Sequence, residues 1–316
     1  MLKPFVVLLV TAIVSSGMHS LPQTQYAFGT LDYSQAKSTQ LDDIWGQNIL
    51  GTYTDVNGAT HGFICDQKTA AFTPLDDPAA GNKQNQGTNP NQITQNNVFG
   101  YYTDSHTKMH GFLYDLQSRH FTNIDDPAAG GNGTELIGDL GNDFVGQFYE
   151  ANGDAHGFIY DPQRRAFATL DAPGAFSGPN GGTYFCGTRG SKIAGYDLDA
   201  QGVEHGFVYD AQRTGTNNGF FSYFDAAGSG TSRDQGTTIQ DISGDLIVGI
   251  YTDSNGVDHG FLDNLVNNKF ISLDDPNAGN ASGQGGTDAC GIFDNSIVGF
   301  FYDKKGTTHG FIAKSQ

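Results

Sequence analysis

The sequence predicts an all-β fold, a six-bladed β-propeller of four-stranded blades, and three observations predict it. A frame of marker glycine, acid, tight turn and His-Gly-Phe occurs six times, and the marker glycines Gly51, Gly100, Gly146, Gly195, Gly249 and Gly299 recur about every 50 residues, the period of a propeller blade. Within a period, short apolar runs alternate with Asn, Asp and Gly, which is strand-and-turn chemistry without helical periodicity. Finally, the last frame stops at a third strand, residues 309–313. Residues 26–32 (Tyr-Ala-Phe-Gly-Thr-Leu-Asp) match the fourth strands elsewhere, at 72–76, 121–125, 167–171, 221–225 and 270–274. Pairing of the N-terminal strand with the C-terminal blade would close the ring and leave no open sheet edge.

Composition agrees. The chain has 316 residues, 44 of them Gly, with 23 Phe and 14 Tyr, so turns are many and the core is aromatic. Asp and Glu number 34 against 16 Lys and Arg, a net charge of −18 that argues against nucleic acid and anionic membrane surfaces as partners. Residues 1–20 read as a secretory signal: Lys3, an apolar run over 4–14 too short to span a bilayer, then Ser15, Ser16 and Gly17, with cleavage expected about 16–20. Residues 21–316 then form one exported domain, secreted, extracellular or periplasmic, without a membrane span and monomeric. Cys65, Cys186 and Cys290 are too few for a disulfide framework and read as small buried residues.

In the fifth period the four runs are 237–243, 245–253, 258–263 and 268–274. Between the second and third stands a tight turn with Gly58, Gly153, Gly202, Gly256 or Gly306, where a positive φ is needed. The second repeat has Thr107 there, so its turn is expected to differ. An insertion at 214–218 implies a longer loop in the fourth repeat, and Gly/Asn/Gln-rich links join the periods.

In a four-stranded meander the turn after strand two and the link after strand four share one end. That end would collect Asp76, Asp77, Asp125, Asp126, Asp171, Asp225, Asp274 and Asp275, an acidic face and the first candidate for binding. It also holds the turn acids Asp55, Asp104, Glu150, Asp199, Asp253 and Asp303, each ahead of a histidine: His61, His110, His156, His205, His259 and His309. Strand three is far from the axis, so histidines of different blades cannot reach one zinc ion at about 2.0–2.1 Å. The expected role is structural, each turn acid bonded to its histidine as a clip on the hairpin. The turn at 253–258 offers Asp253 and Asp258 as a candidate calcium pair but lacks the distant bidentate Glu of an EF-hand. Paired carboxylates could serve general acid–base chemistry, yet recurrence in three repeats marks them as corners, with Pro fixing the bend. No nucleophile elbow, His-Glu-x-x-His or phosphate loop occurs.

The repeat resembles the HAF-type predicted extracellular repeats of bacteria. The resemblance is carried by residues 247–253 (Ile-Val-Gly-Ile-Tyr-Thr-Asp), 259–262 (His-Gly-Phe-Leu) and 273–276 (Leu-Asp-Asp-Pro), and covers nearly all of the mature chain. It implies an exported repeat protein without an assigned activity. The fourth repeat departs from it, with Asp225-Ala226-Ala227-Gly228 at the corner. The expectation for function is a non-catalytic propeller binding glycan, polymer or protein through its acidic face, with no cofactor. The alternative is a calcium-dependent hydrolase or lactonase-like propeller with a central-channel site, which rests on analogy of fold. Six similar grooves would favour binding; one asymmetric cluster of acids, Asn and His around the axis would favour the enzyme.

Overall fold

A computed structural model describes residues 26–34, 36–213, 219–281 and 285–315. The expected signal at 1–20 and the insertion at 214–218 lie outside the described residues. Among those described there are 24 β-strands joined in one sheet and no helix, so none is long and apolar enough to cross a membrane.

The strands follow the sequence periods. After β1 (Tyr26–Thr30) come β2 (Ser38–Trp45), β3 (Asn48–Thr54), β4 (Thr60–Asp66) and β5 (Ala71–Leu75). The second period gives β6 (Gly87–Ile93), β7 (Asn97–Thr103), β8 (Met109–Asp115) and β9 (His120–Asn123). The third gives β10 (Gly133–Leu140), β11 (Asp143–Tyr149), β12 (Ala155–Asp161) and β13 (Ala166–Thr169). The fourth gives β14 (Gly182–Arg189), β15 (Lys192–Leu198), β16 (Glu204–Asp210) and β17 (Phe220–Phe224). Then follow β18 (Gly236–Ser243), β19 (Leu246–Thr252), β20 (Asp258–Asn264) and β21 (Ile271–Ser272), and lastly β22 (Gly286–Phe293), β23 (Ser296–Tyr302) and β24 (Thr308–Ser315). Each period is an antiparallel meander. β24 finds its fourth strand in β1, in register from Tyr26↔Ser315 to Thr30↔Phe311. Four of the fourth strands, β1, β9, β13 and β21, are shorter than expected, whereas β5 and β17 keep five residues. β21 keeps two residues, although Asn268 turns before it at φ 51° just as Ala70, Arg119 and Arg165 turn at 52–58° before the longer β5, β9 and β13.

One contact sets the register of every meander. Marker glycines face the phenylalanines of the His-Gly-Phe triplets directly, as in Gly51↔Phe63 and Gly249↔Phe261. A Cβ on Gly51 would stand 2.5 Å from the Phe63 ring, and one on Gly146 2.5 Å from that of Phe158. Only glycine lets the ring lie flat across the partner strand. Phe63, Phe112, Phe158, Phe207, Phe261 and Phe311 are all fully buried, each contributing about 1.5–3 kcal/mol of burial. The cores join each repeat to its neighbour. Val298 and Ile312 from the last repeat pack with Leu41, Ile49 and Phe63 of the first.

Adjacent repeats are also clipped by a buried threonine near the start of each inner strand. Thr88, Thr134, Thr183, Thr237 and Thr287 accept the backbone N–H of Asp77, Asp126, Ala172, Ala226 and Asp275 at 2.8–2.9 Å, and Thr39 accepts that of Tyr33 at 3.0 Å.

The turn at Thr107 does not differ from its counterparts. Thr107 adopts φ 68°, against 76–87° at the equivalent glycines, and keeps the same Asp104 N–H to Lys108 C=O bond at 2.9 Å. The pairing of β7 with β8 dictates the turn, and a β-branched residue bears the strain. Replacing Thr107 with glycine should relieve it. The expected outcome is a stability gain of about 1 kcal/mol with no change in denaturant m-value, read from urea unfolding of the two proteins.

Candidate functional site

Each histidine sits in the third strand of its repeat, between the turn acid and the corner aspartate. The hydrogen bond goes to the corner. His61, His110, His156, His205, His259 and His309 place Nδ1 2.8–3.2 Å from Asp76, Asp125, Asp171, Asp225, Asp274 and Asp32. The expected clip from the turn acids is replaced by a looser approach, with Nε2 3.6–3.9 Å from Asp55, Asp104, Glu150, Asp199, Asp253 and Asp303. Turn geometry explains this. Asp55 Oδ1 already accepts the N–H groups of Asn57 and Ala59 at 2.8 and 2.9 Å, which holds its carboxylate over the turn. Glu150 is too long for that duty, and Asn152 instead accepts the Asp154 N–H at 3.0 Å. Five of the six imidazoles stack on an aromatic ring at 4.9–5.4 Å: Tyr53, Tyr102, Phe148, Tyr251 and Phe301. In the fourth repeat Asp197 stands at that position and accepts the Tyr223 hydroxyl at 2.6 Å. Asp32 was the corner missed in the sequence, although the match of residues 26–32 to the fourth strands held the signal.

The corner aspartates are half exposed, their side chains from 37% for Asp125 to 51% for Asp225. The second members of the pairs are at most 5% exposed. Asp77, Asp126 and Asp275 are buried, each accepting the N–H of the residue two ahead at 2.8 Å to form the corner. They leave the candidate binding face, because a carboxylate that builds a turn beneath the link cannot also meet a ligand above it. Asp253 and Asp258 do not converge either. Asp253 serves the Asn255 and Val257 N–H groups, whereas Asp258 turns to the Thr252 hydroxyl at 2.7 Å. Among the described residues no three His, Cys, Asp or Glu side chains gather as metal ligands would.

A second feature was not foreseen. The first strands of the six periods, with residues of the second strands, line an open cavity of about 450 Å³. In every first strand a β-bulge interrupts the pairing, between Leu41 and Asp43, Pro90 and Gln92, Leu136 and Gly138, Phe185 and Gly187, Ile239 and Asp241, and Ala289 and Gly291. The extra residue of each bulge, namely Asp42, Asn91, Ile137, Cys186, Gln240 and Cys290, lines the cavity. Two residues earlier stand Gln40, Glu135, Tyr184 and Asp288, also in its wall. The floor is built by the residue after the bulge. Asp43 accepts the N–H of Ile44 at 2.7 Å and of Ile93 at 2.9 Å; Asp241 does the same for Ile242 and Ile292. Gln92 reaches Thr188. Arg189 lies across this floor, donating to Asp241 and to the Ile292 carbonyl at 3.3 Å and covering the Trp45 ring at 4.8 Å. Room for these side chains comes from Gly138, Gly187 and Gly291, where a Cβ would collide with Gln92, with the Gln240 carbonyl and with Asp43. A signal was present in the sequence: polar residues such as Gln40, Asp42 and Asp43 stand where a buried strand would carry apolar ones. Without the bulges their common direction could not be read.

Electrostatics separate the two regions. At the rim, backbone N–H groups from Lys108, Val257 and Thr307 hold Asp104, Asp253 and Asp303 below the usual carboxylate range. Burial works against protonation of His156 and His205, but the hydrogen bonds and charges of Asp171 and Asp225 raise both above the ordinary imidazole value. In the cavity burial dominates. It pushes Asp42 up to about 7 and raises Asp288, where Asp258 and Glu204 add to the effect. Glu135 is also raised by burial, even though Asn91, Gln147 and Tyr149 donate to it at 2.8–2.9 Å. The Cys186 and Cys290 thiols are pushed up by burial, which keeps them protonated and poor as nucleophiles.

No family model and no curated protein matches the chain. Solved structures do match in shape. A mutant of the Aleuria aurantia lectin in complex with Fucα1-6GlcNAc superposes with a TM-score of 0.53 at 10% identity, covering 90% of this chain and 93% of that one. AofleA from Arthrobotrys oligospora matches with a TM-score of 0.51 at 12% identity, covering 94% and 86%. TolB from Acinetobacter baumannii has 15% identity and a TM-score of 0.48; the match covers 81% of this chain and 60% of TolB. The fold is that of a β-propeller.

The histidine stations make stability depend on pH. A histidine whose folded value is raised stabilises the fold below its unfolded value near 6.5, and that contribution is lost as pH rises through the folded value. Melting midpoints should therefore fall between pH 6 and pH 8, and the fall should be smaller in His156→Gln and His205→Gln. An unchanged slope in both variants would remove the stations as its cause.

Proposed function

We propose that this is a six-bladed propeller with a closed ring, an exported non-catalytic binding protein of the HAF-type repeat class, and that it takes glycan ligands on the face carrying the histidine stations. One observation carries the reading: six near-equivalent groups, each an imidazole between two carboxylates with the corner acid half exposed, recur at the same end of six meanders. Carboxylates and imidazoles are hydrogen-bonding partners for sugar hydroxyls, and weak contacts repeated around a ring gain strength through multivalency. The fold likeness to a protein described as a fucose-specific lectin fits a binding propeller and makes fucose one sugar to test. Closure is supported by the β1–β24 pairing and by the core shared between the first and last repeats. Export is supported by residues 1–20 alone.

The test is a glycan array with the full-length protein, with and without a chelator. Binding is expected to survive the chelator and to weaken stepwise as Asp76→Asn, Asp125→Asn and Asp171→Asn are combined. Loss of all binding from one substitution in a folded protein would replace the multivalent reading by a single site. Closure is tested apart from function: deletion of residues 26–33 should strip β24 of its partner and lead to aggregation or loss of a cooperative melt. A truncated chain that melts like the full one overturns the closed ring.

A second reading has one observation in its favour, the Asp42 carboxyl held near neutral value inside the cavity, where a general acid or base would stand. If the channel hydrolyses esters or lactones, turnover should vanish in Asp42→Asn while array binding persists.

A further inference from the structure

The central cavity is a separate region from the stations, and its chemistry differs. Asp42, Asp288 and Glu135 line it, and no Lys, Arg or His does. Asp288 is only 7% exposed, and its Oδ1 has no hydrogen-bond partner; Oδ2 of Asp42 has none either. Buried carboxyl oxygens are nearly always paired, because leaving one unmade costs its full desolvation. Next to Asp288 stand Glu204 and Asp258, which add negative charge. Arg189 is committed to the floor. Tyr149, Tyr184, Tyr196 and Phe300 supply aromatic walls, favourable to a cation over their ring faces. A volume of about 450 Å³ is that of a small-molecule pocket, far more than a desolvated ion fills.

We propose that this cavity binds a small organic dication of the aliphatic diamine class, its ammonium groups donating to Asp288 and Asp42 on one wall and to Glu135 on another. Ammonium donors meet the requirement that the unpartnered oxygens pose, and a flexible carbon chain suits the aromatic walls. An inorganic divalent ion would need six to eight oxygens at about 2.3–2.6 Å, and the three carboxyls do not gather in that way. Binding is linked to protons. Asp42 faces the Thr52 hydroxyl of β3, Tyr101 of β7 and Cys290 of β22, with Asp288 of β22, Glu135 of β10 and Cys186 of β14 elsewhere in the wall and Asp43, Asp241 and Arg189 in the floor. Burial pushes the Asp42 carboxyl up to about 7 and raises Asp288 as well; the dication pairs with the ionised forms, so affinity rises with pH.

The experiment is calorimetric titration of the full-length protein with putrescine, whose amines remain charged from pH 6 to 8 as a lysine does. Its uncharged twin 1,4-butanediol and calcium chloride are run in parallel. One saturable putrescine site is expected, with affinity higher at pH 8 than at pH 6, because the raised Asp42 and Asp288 carboxyls ionise as pH rises. Butanediol and calcium should neither bind there nor displace putrescine. Asp288→Asn and Asp42→Asn should each weaken binding about tenfold or more, whereas Asp294→Asn on an exposed hairpin should leave it unchanged. Equal binding of butanediol, displacement by calcium, an equal loss in Asp294→Asn, a flat pH profile, or no saturable heat overturns the proposal. The pH profile of the unsubstituted protein decides it even if a cavity variant fails to fold. Failure here leaves the glycan reading untouched, since that rests on the outer stations.

Discussion

In every repeat a phenylalanine ring lies where a side chain on the facing residue would have to be. The ring needs a glycine beneath it, and the glycine needs the ring to fill the space that it leaves. Because strand pairing alternates faces, this one fit sets the register of the second and third strands and so decides which side chains turn inward. The histidine ahead of the phenylalanine is thereby aimed at the rim, between the turn acid and the corner. The glycine between them lets the next repeat close in: a Cβ on Gly157 would meet the Phe185 ring at 2.5 Å. The ring contact, the station and the joint between repeats are consequences of three consecutive residues.

That skeleton is repetitive, and the cavity within it is not. Threonine clips, corners and stations recur with little change, as expected of parts whose work is to hold neighbouring repeats together. The bulge positions read Asp, Asn, Ile, Cys, Gln and Cys in chain order, and the floor positions after them read Asp, Gln, Gly, Gly, Asp and Gly, the glycines making room for the longer side chains. Bulges supply the means: by adding one residue at the inner edge they direct side chains of both parities into the channel without disturbing the outer strands. A repeat protein can thus vary the one surface that all of its repeats share.

The acidic balance has two physical forms here. At the rim, carboxylates stay ionised because backbone N–H groups and imidazoles support the charge. In the cavity the same group is held closer to neutral by burial, and the Arg189 guanidinium is spent on the floor. Asp253 and Asp42 illustrate the division. One is held by the N–H groups of Val257 and Asn255; the other keeps an oxygen without a partner.

The sequence by itself determined the number of strands in a period, the turn positions, the complementary ends of the chain and the burial of six phenylalanines, because each depends on local spacing and on residue size. It also brought the right histidines and acids together but paired them wrongly. A hydrogen bond depends on where a carboxylate is free to point, and Asp55 was already held by its own turn while Asp76 was not. Asp77, Asp126 and Asp275 looked like a face and proved to be the inside of a corner for the same reason. The cavity was decided by tertiary structure alone: a bulge leaves no mark in composition, and the convergence of Asp42, Glu135 and Asp288 joins residues about 250 positions apart at the extremes, which strand order brings to one space and no spacing rule could foretell.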